Sequence, residues 1–196
     1  MFANRFTALV DACSLVSVLG RNTILSLAEA ELFRVRWSEE ILSETKLALA
    51  GMFATRGHNE PEALAARQIA AIRKAFPDAM VDDYEEFKPE VNILPDGDDA
   101  HVIAAACRCR ASVLVTENIK HFPNSILSPL GIESKTSDDF IADTIDLDPL
   151  LAVRALARMR VRFQSPKLTP DKLLLRYESQ GFIQTADLLR AHARQL

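Results

Sequence analysis

Carboxylate, amide and hydroxyl side chains recur in this sequence at places where predicted strands or helices begin and end. Asp11 closes the apolar run of residues 6–10, which predicts a buried strand. A carboxylate at the end of such a strand is costly to bury unless a cation, a helix N-terminus or a metal ion compensates for its charge. The residue type and its position therefore leave a structural and a chemical role open for Asp11.

Three further groups offer the same kind of oxygen ligand. Glu44 follows Glu40 by one helical turn and borders apolar residues, so it lies either in solvent or at the edge of a buried face. Asp98 and Asp99 precede a predicted helix and could cap it, while one carboxylate oxygen stays free for a metal ion. Residues 116–118, Thr-Glu-Asn, follow the clearest strand and must face solvent or a ligand.

Separate carboxylates that converge on one sheet edge would repel one another unless a hard cation lay between them. Oxygen ligand sets suit Mg²⁺ or Mn²⁺, which activate water and stabilise charge on a phosphate during phosphodiester hydrolysis. The sequence contains no cysteine and histidine cluster typical of zinc, no P-loop, no nucleophile elbow and no dinucleotide-binding fingerprint.

Strand-like and helix-like segments alternate up to about residue 145, which predicts an α/β sandwich with a parallel sheet. Such folds place their sites beyond the carboxyl ends of the strands, where both Asp11 and residues 116–118 fall. The main predicted strands are residues 6–10, 33–37 and 112–116, and the main predicted helices begin near residues 24, 38, 61 and 99.

The pattern changes to helices alone after Asp148-Pro149. We predict helices over residues 150–163, from an N-cap at Thr169 to Gly181, and from Thr185 to the C-terminus. We therefore expect two parts, residues 1–146 as a nuclease-like domain and residues 147–196 as a helical C-terminal extension.

Four stretches in this order resemble PIN-domain proteins, of the kind found as VapC-type toxins of bacterial toxin–antitoxin pairs. They are residues 10–13, residues 32–34 with 37–44, residues 94–106 and residues 113–123. The C-terminal helices resemble an extension found in one branch of that group. The resemblance implies a PIN-like three-layer α/β/α sandwich with a central parallel sheet, followed by the helical extension.

The resemblance also implies a metal-dependent endoribonuclease, acting as the toxin of a type II pair. By position, Asp11, Glu44 and Asp99 match the metal-binding acids, and Thr116 matches a hydroxyl residue near the site. Thr116 and Asn118 are then expected to orient water or phosphate. The family further implies Mg²⁺ or Mn²⁺ as cofactor, an RNA substrate, a homodimer and a cognate antitoxin.

Two departures from the family pattern leave other functions open. Many members carry Asp where Asn118 stands, and many carry Asn where Cys13 stands. Glu117 or Asp96 could compensate for the missing acid. A catalytically weak PIN domain that serves as an RNA-binding or protein-interaction module is the alternative, and a DNA-directed or general phosphodiesterase is a third possibility.

Composition limits the other classes. The net charge is −4, but residues 78–99 hold nine acids and one base, whereas residues 151–196 hold nine bases and three acids. A basic stripe on the first C-terminal helix (Arg154, Arg158 and Arg162) suits a solvated face, RNA or an antitoxin. Three cysteines and no apolar stretch of membrane-spanning length favour a cytoplasmic protein with free thiols and no membrane partner.

Overall fold

The core of the protein is a five-stranded sheet in which every strand pairs in parallel with its neighbours. A computed structural model describes residues 6–87, 94–164 and 166–196. The strand order is β3-β2-β1-β4-β5. The strands are β1 (Thr7–Val10), β2 (Arg34–Ser38), β3 (Met80–Val81), β4 (Val113–Val115) and β5 (Glu133–Lys135). The predicted parallel α/β fold is thus confirmed, and the three main predicted strands lie within a residue or so of their predicted limits.

Helices flank the sheet and then continue alone to the C-terminus, which confirms the predicted sandwich with its helical extension. The helices of the first part are α1 (Ala12–Val16), α2 (Val18–Glu29), α3 (Glu39–Thr55), α4 (Pro61–Ala75), α5 (Ala100–Arg108), α6 (Asn124–Leu127) and α7 (Ser137–Leu147). The last three are α8 (Pro149–Arg162), α9 (Pro170–Ser179) and α10 (Ile183–Arg190). The predicted apolar segment of residues 91–94 lies largely outside the described residues.

Local sequence signals explain where several helices begin. The Ser38 hydroxyl accepts a hydrogen bond from the backbone N–H of Ile41 at 3.2 Å, so it caps α3 as predicted. Thr169 caps α9 in the same way, and Pro170 occupies the first helical position, where its missing N–H costs nothing. These caps satisfy backbone donors that the helix itself leaves unpaired.

The apolar core covers both faces of β1, because Ala8, Leu9 and Val10 are fully buried. Phe33 and Trp37 are buried as well. Such a continuous apolar strand in the middle of a parallel sheet brings the residue that follows it, Asp11, to the sheet edge. No helix among the described residues is long and apolar enough to cross a membrane.

The C-terminal helices pack on the first part of the chain through buried side chains. Helix α8 lies against α2 and α7, and α10 lies against α7 and α9. The hydroxyl groups of Tyr177 and Thr23 are 2.6 Å apart, and both residues are fully buried. A Cβ atom added to Gly20 would lie 2.8 Å from the ring of Phe182, so the glycine permits this close approach.

The start of the last helix differs from the sequence prediction. Helix α10 begins at Ile183 rather than at Thr185, and no side chain in its own first turn caps it. Instead, the Asp138 carboxylate at the start of α7 accepts hydrogen bonds from the N–H groups of Gln184 and Thr185, both at 2.9 Å. The prediction was wrong because the cap comes from a distant part of the chain.

Candidate metal centre at the carboxyl edge of the sheet

Two neighbouring strands bring Asp11 and Thr116 together. In the parallel pair β1–β4, Val10 is in register with Val115, and Asp11 and Thr116 are the residues that follow. The Asp11 N–H donates to the Val115 carbonyl at 2.9 Å. The register of the sheet therefore fixes the backbone of both residues at its carboxyl edge.

Asp11 is buried and caps a helix, so the structural role that the sequence left open is confirmed. Its Oδ1 atom accepts a hydrogen bond from the Ala12 N–H at 2.7 Å, at the start of α1. Its Oδ2 atom accepts a hydrogen bond from the Thr116 hydroxyl at 2.7 Å. Each carboxylate oxygen has two acceptor sites, so capping is compatible with binding a cation.

The Thr116 hydroxyl acts between two protein groups. It accepts a hydrogen bond from the Asn118 N–H at 3.1 Å, which leaves its own proton for Asp11. Thr116 is fully buried, so its hydroxyl orients Asp11. Asn118 is exposed and precedes a short 3-10 turn, Ile119–His121.

Cys13 also contacts Asp11 and the segment that follows β4. Its thiol donates to Asp11 Oδ2 at 3.1 Å and accepts a hydrogen bond from the Glu117 N–H at 3.1 Å. Burial and the negative charge of Asp11 raise the pKa of Cys13 to about 11. At neutral pH the residue is therefore a neutral thiol that donates to the carboxylate, in place of the polar side chain that many PIN domains carry there.

Asp99 lies directly before α5, but its carboxylate does not cap that helix. Instead, Asp99 Oδ2 and His121 Nδ1 are 2.8 Å apart, and Asp96 Oδ2 lies 3.9 Å from the same nitrogen. Burial raises the pKa of Asp99, and the charges of Asp11 and Asp96 add to this, while His121 opposes it. The negative charge of Asp11 therefore makes ionisation of Asp99 less favourable. Such repulsion is expected between acids that share a cation.

Glu44 is held by a histidine that the sequence did not place in the site. His101 Nε2 lies 3.0 Å from Glu44 Oε1, and the His101 side chain is 7% exposed against 50% for Glu44. Burial lowers the pKa of His101, but the hydrogen bond and charge of Glu44 together with the charges of Glu40 and Asp11 raise it overall. Glu44 and Asp11 thus both lie near one imidazole.

The structure brings the predicted acids to one edge of the sheet in two subgroups. Within the described residues, the ligand atoms that all lie within 4.8 Å of one another belong to Asp96, Asp99 and His121. Asp11 and Glu44 lie outside this closest group. The charge of Asp11 acts on Asp99, whereas Glu44 contacts His101. The donors are mostly carboxylate oxygens and carry mutually unfavourable charge, so the residues present fit a hard divalent cation.

Glu117, one of the two acids that could compensate for the aspartate absent at position 118, has a structural role. Glu117 Oε1 accepts a hydrogen bond from the Ser137 N–H at 3.1 Å, at the first residue of α7. Asp96, by contrast, does lie beside Asp99 and His121. His101 and His121 were not among the predicted site residues; their positions two residues after Asp99 and three after Asn118 were the available signals.

Two protein-family models match the chain. The model described as PIN domain matches residues 7–120, which is more than half of the sequence and includes every predicted metal ligand. The model described as VapC50 C-terminal domain matches residues 137–191, from the start of α7 to the end of α10.

One curated protein resembles the chain over a shorter stretch. It is named "Putative ribonuclease VapC50", from Mycobacterium tuberculosis, and is 42% identical over 76 residues. The matched stretch is 39% of this chain and 45% of that protein, so the similarity spans less than half the length of either. No solved structure matches the chain significantly.

Proposed function

The chain belongs to the PIN-domain family and carries a VapC50-type C-terminal domain, and on this premise we propose that it is a Mg²⁺- or Mn²⁺-dependent endoribonuclease. We further propose that it acts as the toxin of a type II toxin–antitoxin pair. The observation that carries the proposal is the buried Asp11 carboxylate, oriented by Thr116, with its charge acting on Asp99. The name of the relative, a ribonuclease, supports RNA as the substrate.

Asp11, Glu44 and Asp99 are the proposed metal ligands. The fit lies in the chemistry of the donors, because burial and neighbouring acids disfavour the negative charge of Asp99, and a cation would compensate for that charge. Glu44 would leave His101 to reach a cation shared with Asp11, and its half-exposed side chain allows that movement. Asp96 and His121 lie close enough to Asp99 to contribute further ligand atoms.

Mechanistically, a bound Mg²⁺ or Mn²⁺ would supply water activation and neutralisation of the charge that develops on the phosphate. The protein's own residues supply orientation. Thr116 and the Ala12 N–H fix both oxygens of Asp11, and His121 fixes Asp99. Asn118 is exposed, its backbone N–H bonds to Thr116, and its side chain is proposed to hydrogen-bond water or a phosphate oxygen of the RNA.

The remaining proposals follow the family. We propose a homodimer, a cognate antitoxin that covers the acidic edge, and the cytoplasm as the site of action. We also propose the division into a nuclease domain of residues 1–146 and an extension of residues 147–196. It is supported by the helix start at Pro149, which Asp148 caps through the Leu151 N–H.

The alternative function is a catalytically weak PIN domain that binds RNA or protein. Asn118 favours it, because an amide at this position adds no negative charge to hold a second cation. The two functions differ in one measurable property: the enzyme cleaves RNA when Mn²⁺ is added, whereas the binding module retains RNA intact.

The decisive experiment compares wild type with Asp11→Asn for growth arrest on expression and for RNA cleavage by purified protein with Mn²⁺ or EDTA. Asparagine keeps an oxygen for the Ala12 N–H but removes the charge that would hold a cation. We expect cleavage to fall at least about 100-fold, because altering even the residues that support metal ligands costs 10- to 100-fold.

Asp148→Asn is the matched control, because Asp148 is also an aspartate that caps a helix, at α8 and outside the site. It should cleave and arrest growth as the wild type does. Undiminished cleavage by Asp11→Asn would overturn the proposed site. RNA binding without cleavage by the wild type in Mn²⁺ would support the alternative.

A further inference from the structure

A cleft of about 550 Å³ lies beside the candidate metal centre, between the first part of the chain and the C-terminal extension. Cys13 and Glu117 line one side, next to Asp11, and Gln180 at the end of α9 and Gln184 in α10 line the other. Its volume is within the range of pockets that bind small organic ligands. Both family domains contribute to it.

Two buried hydroxyl groups in this cleft lack a protein partner. Ser14 and Ser137 line the cleft and are each 2% exposed. Within the described residues, neither hydroxyl oxygen has a hydrogen-bond partner. Buried polar groups are nearly always paired in folded proteins, so two unpaired hydroxyls in one cleft point to a polar ligand.

The charge of the cleft favours a nucleobase over a phosphate. Glu117, Asp138 and Asp139 also line it, and their carboxylates would repel a phosphate group. Glu117 and Asp138 each accept hydrogen bonds from backbone N–H groups at helix starts, which holds them in place. A carboxylate has about four acceptor sites, so both retain capacity for further N–H donors.

We propose that this cleft binds one unpaired nucleobase of the RNA next to the cleaved bond, and that the base carries an exocyclic amino group. Guanine, adenine and cytosine present the two N–H donors of an exocyclic amino group to the carboxylates and serine hydroxyls, whereas uracil has only its ring N3–H. The inference rests on the proposed ribonuclease function and assigns the C-terminal extension a role in choosing the substrate. Gln180 and Ser137 are its specificity-determining residues.

The first test uses the full chain and a pool of RNAs with randomised sequence, cleaved with Mn²⁺ and sequenced at the cut ends. We expect the wild type to favour an amino-bearing base at one position beside the cut. Ser137→Ala and Gln180→Ala should each reduce that preference about fivefold, the effect of one net hydrogen bond. Cleavage at other sequences should persist in both variants.

Ser179→Ala is the matched control, since Ser179 neighbours Gln180 but its exposed hydroxyl donates to the Arg176 carbonyl outside the cleft. It should keep the wild-type preference. Cleavage with no preference in the wild type, or with one preference shared by all variants, would overturn the inference while the ribonuclease function stands. The latter result would favour a basic side chain of a protein partner as the occupant of the cleft.

A binding measurement tests the nucleobase cleft separately from the ribonuclease function if no cleavage occurs. The full-length Asp11→Asn protein is titrated with short RNAs that differ only in having oligo-A, oligo-C or oligo-U sequence. About fivefold tighter binding of the amino-bearing RNAs, lost when Ser137→Ala is added, would support the cleft even if hydrolysis failed. Equal binding of all three RNAs would overturn it.

Discussion

Thr116 and Thr23 are both fully buried threonines with a hydrogen bond of 2.6 to 2.7 Å to a distant part of the chain. The acceptor of the Thr116 hydroxyl is the carboxylate of Asp11 at the sheet edge. Thr23, in α2, donates to the Leu19 carbonyl of its own helix, so the Tyr177 hydroxyl donates to Thr23. One threonine orients a charged group, and the other joins α2 to α9 through neutral groups.

Burial and a short hydrogen bond therefore do not by themselves indicate function. What distinguishes Thr116 is its acceptor, a carboxylate whose charge also acts on another acid, Asp99. Around Thr23 every described partner is neutral, and the contact closes the junction with the extension. We therefore expect substitutions at the two positions to affect different measured properties.

The largest effect is expected for Thr116→Val, which keeps the side-chain shape but removes the donor to Asp11. RNA cleavage per folded molecule should fall between about 10- and 100-fold, as for other residues that position metal ligands. Thr116→Ser retains the hydroxyl and should restore most of the rate. Thr23→Val is the matched variant at the junction, and an equal loss of cleavage there would break the comparison.

Gly20→Ala tests the close packing at the junction. Alanine normally stabilises a helix interior relative to glycine, but the added Cβ would lie 2.8 Å from the buried Phe182 ring. We expect the free energy of unfolding to fall by about 1 to 2 kcal/mol through overpacking, measured by urea denaturation. Phe182→Leu in the same chain should recover part of this loss, whereas simple additivity of the two changes would contradict the contact.

Tyr177→Phe removes only the hydroxyl that bonds to Thr23. Thr23 still donates to the Leu19 carbonyl at 2.8 Å, so no donor is left unpaired on that side. The expected loss is about 1 kcal/mol in the free energy of unfolding. Cleavage per folded molecule should not change, and a loss comparable to that of Thr116→Val would show that the junction and the site are not separable.

The smallest effect concerns the exposed ion pair between Glu29 and Arg162, which links α2 to α8 with an N–O distance of 2.9 Å. The hydrogen bond from Arg162 lowers the pKa of Glu29 below its ordinary value of 4.5. A carboxyl group whose pKa is lower in the folded than in the unfolded state stabilises the folded state when the pH is above the unfolded value. This contribution disappears as the pH falls through the lower, folded pKa.

Glu29→Gln should therefore lower the free energy of unfolding at pH 7 by less than about 1 kcal/mol, since exposed pairs contribute little. The difference from wild type should be full above pH 4.5 and should vanish as the pH falls through the lowered folded pKa of Glu29. Thermal unfolding of both proteins from pH 7 to pH 3 measures it. A difference that grew towards low pH would have the wrong sign.

The elements with local signals were predictable from sequence. Strand β1 is a continuous apolar run, Ser38 is followed by two acids, and Thr169-Pro170 is a standard helix start, so each lies where it was predicted. The family membership was also predictable, because four motifs occur in the right order. These features depend on residues close together in the chain.

Contacts between distant residues were not predictable in the same way. The cap of α10 comes from Asp138, more than forty residues earlier, and it moved the helix start to Ile183. Likewise, His101 and His121 hold Glu44 and Asp99 only because α5 and the turn after β4 meet at one edge. The sequence named the acids, and the closeness of both histidines to the motifs in the chain did not show which acid each would contact.

The contact between Gly20 and Phe182 has a consequence for exchanging parts between related proteins. A C-terminal segment transplanted onto another PIN domain would bring a large aromatic ring at position 182, which requires the absence of a side chain at position 20. The two positions are sterically coupled, so chimaeras should tolerate a crossover after residue 147 only when the residues that meet at positions 20 and 182 are compatible in size. In a library of such hybrids sorted for expression, the residues found at positions 20 and 182 of the well-expressed proteins should be correlated.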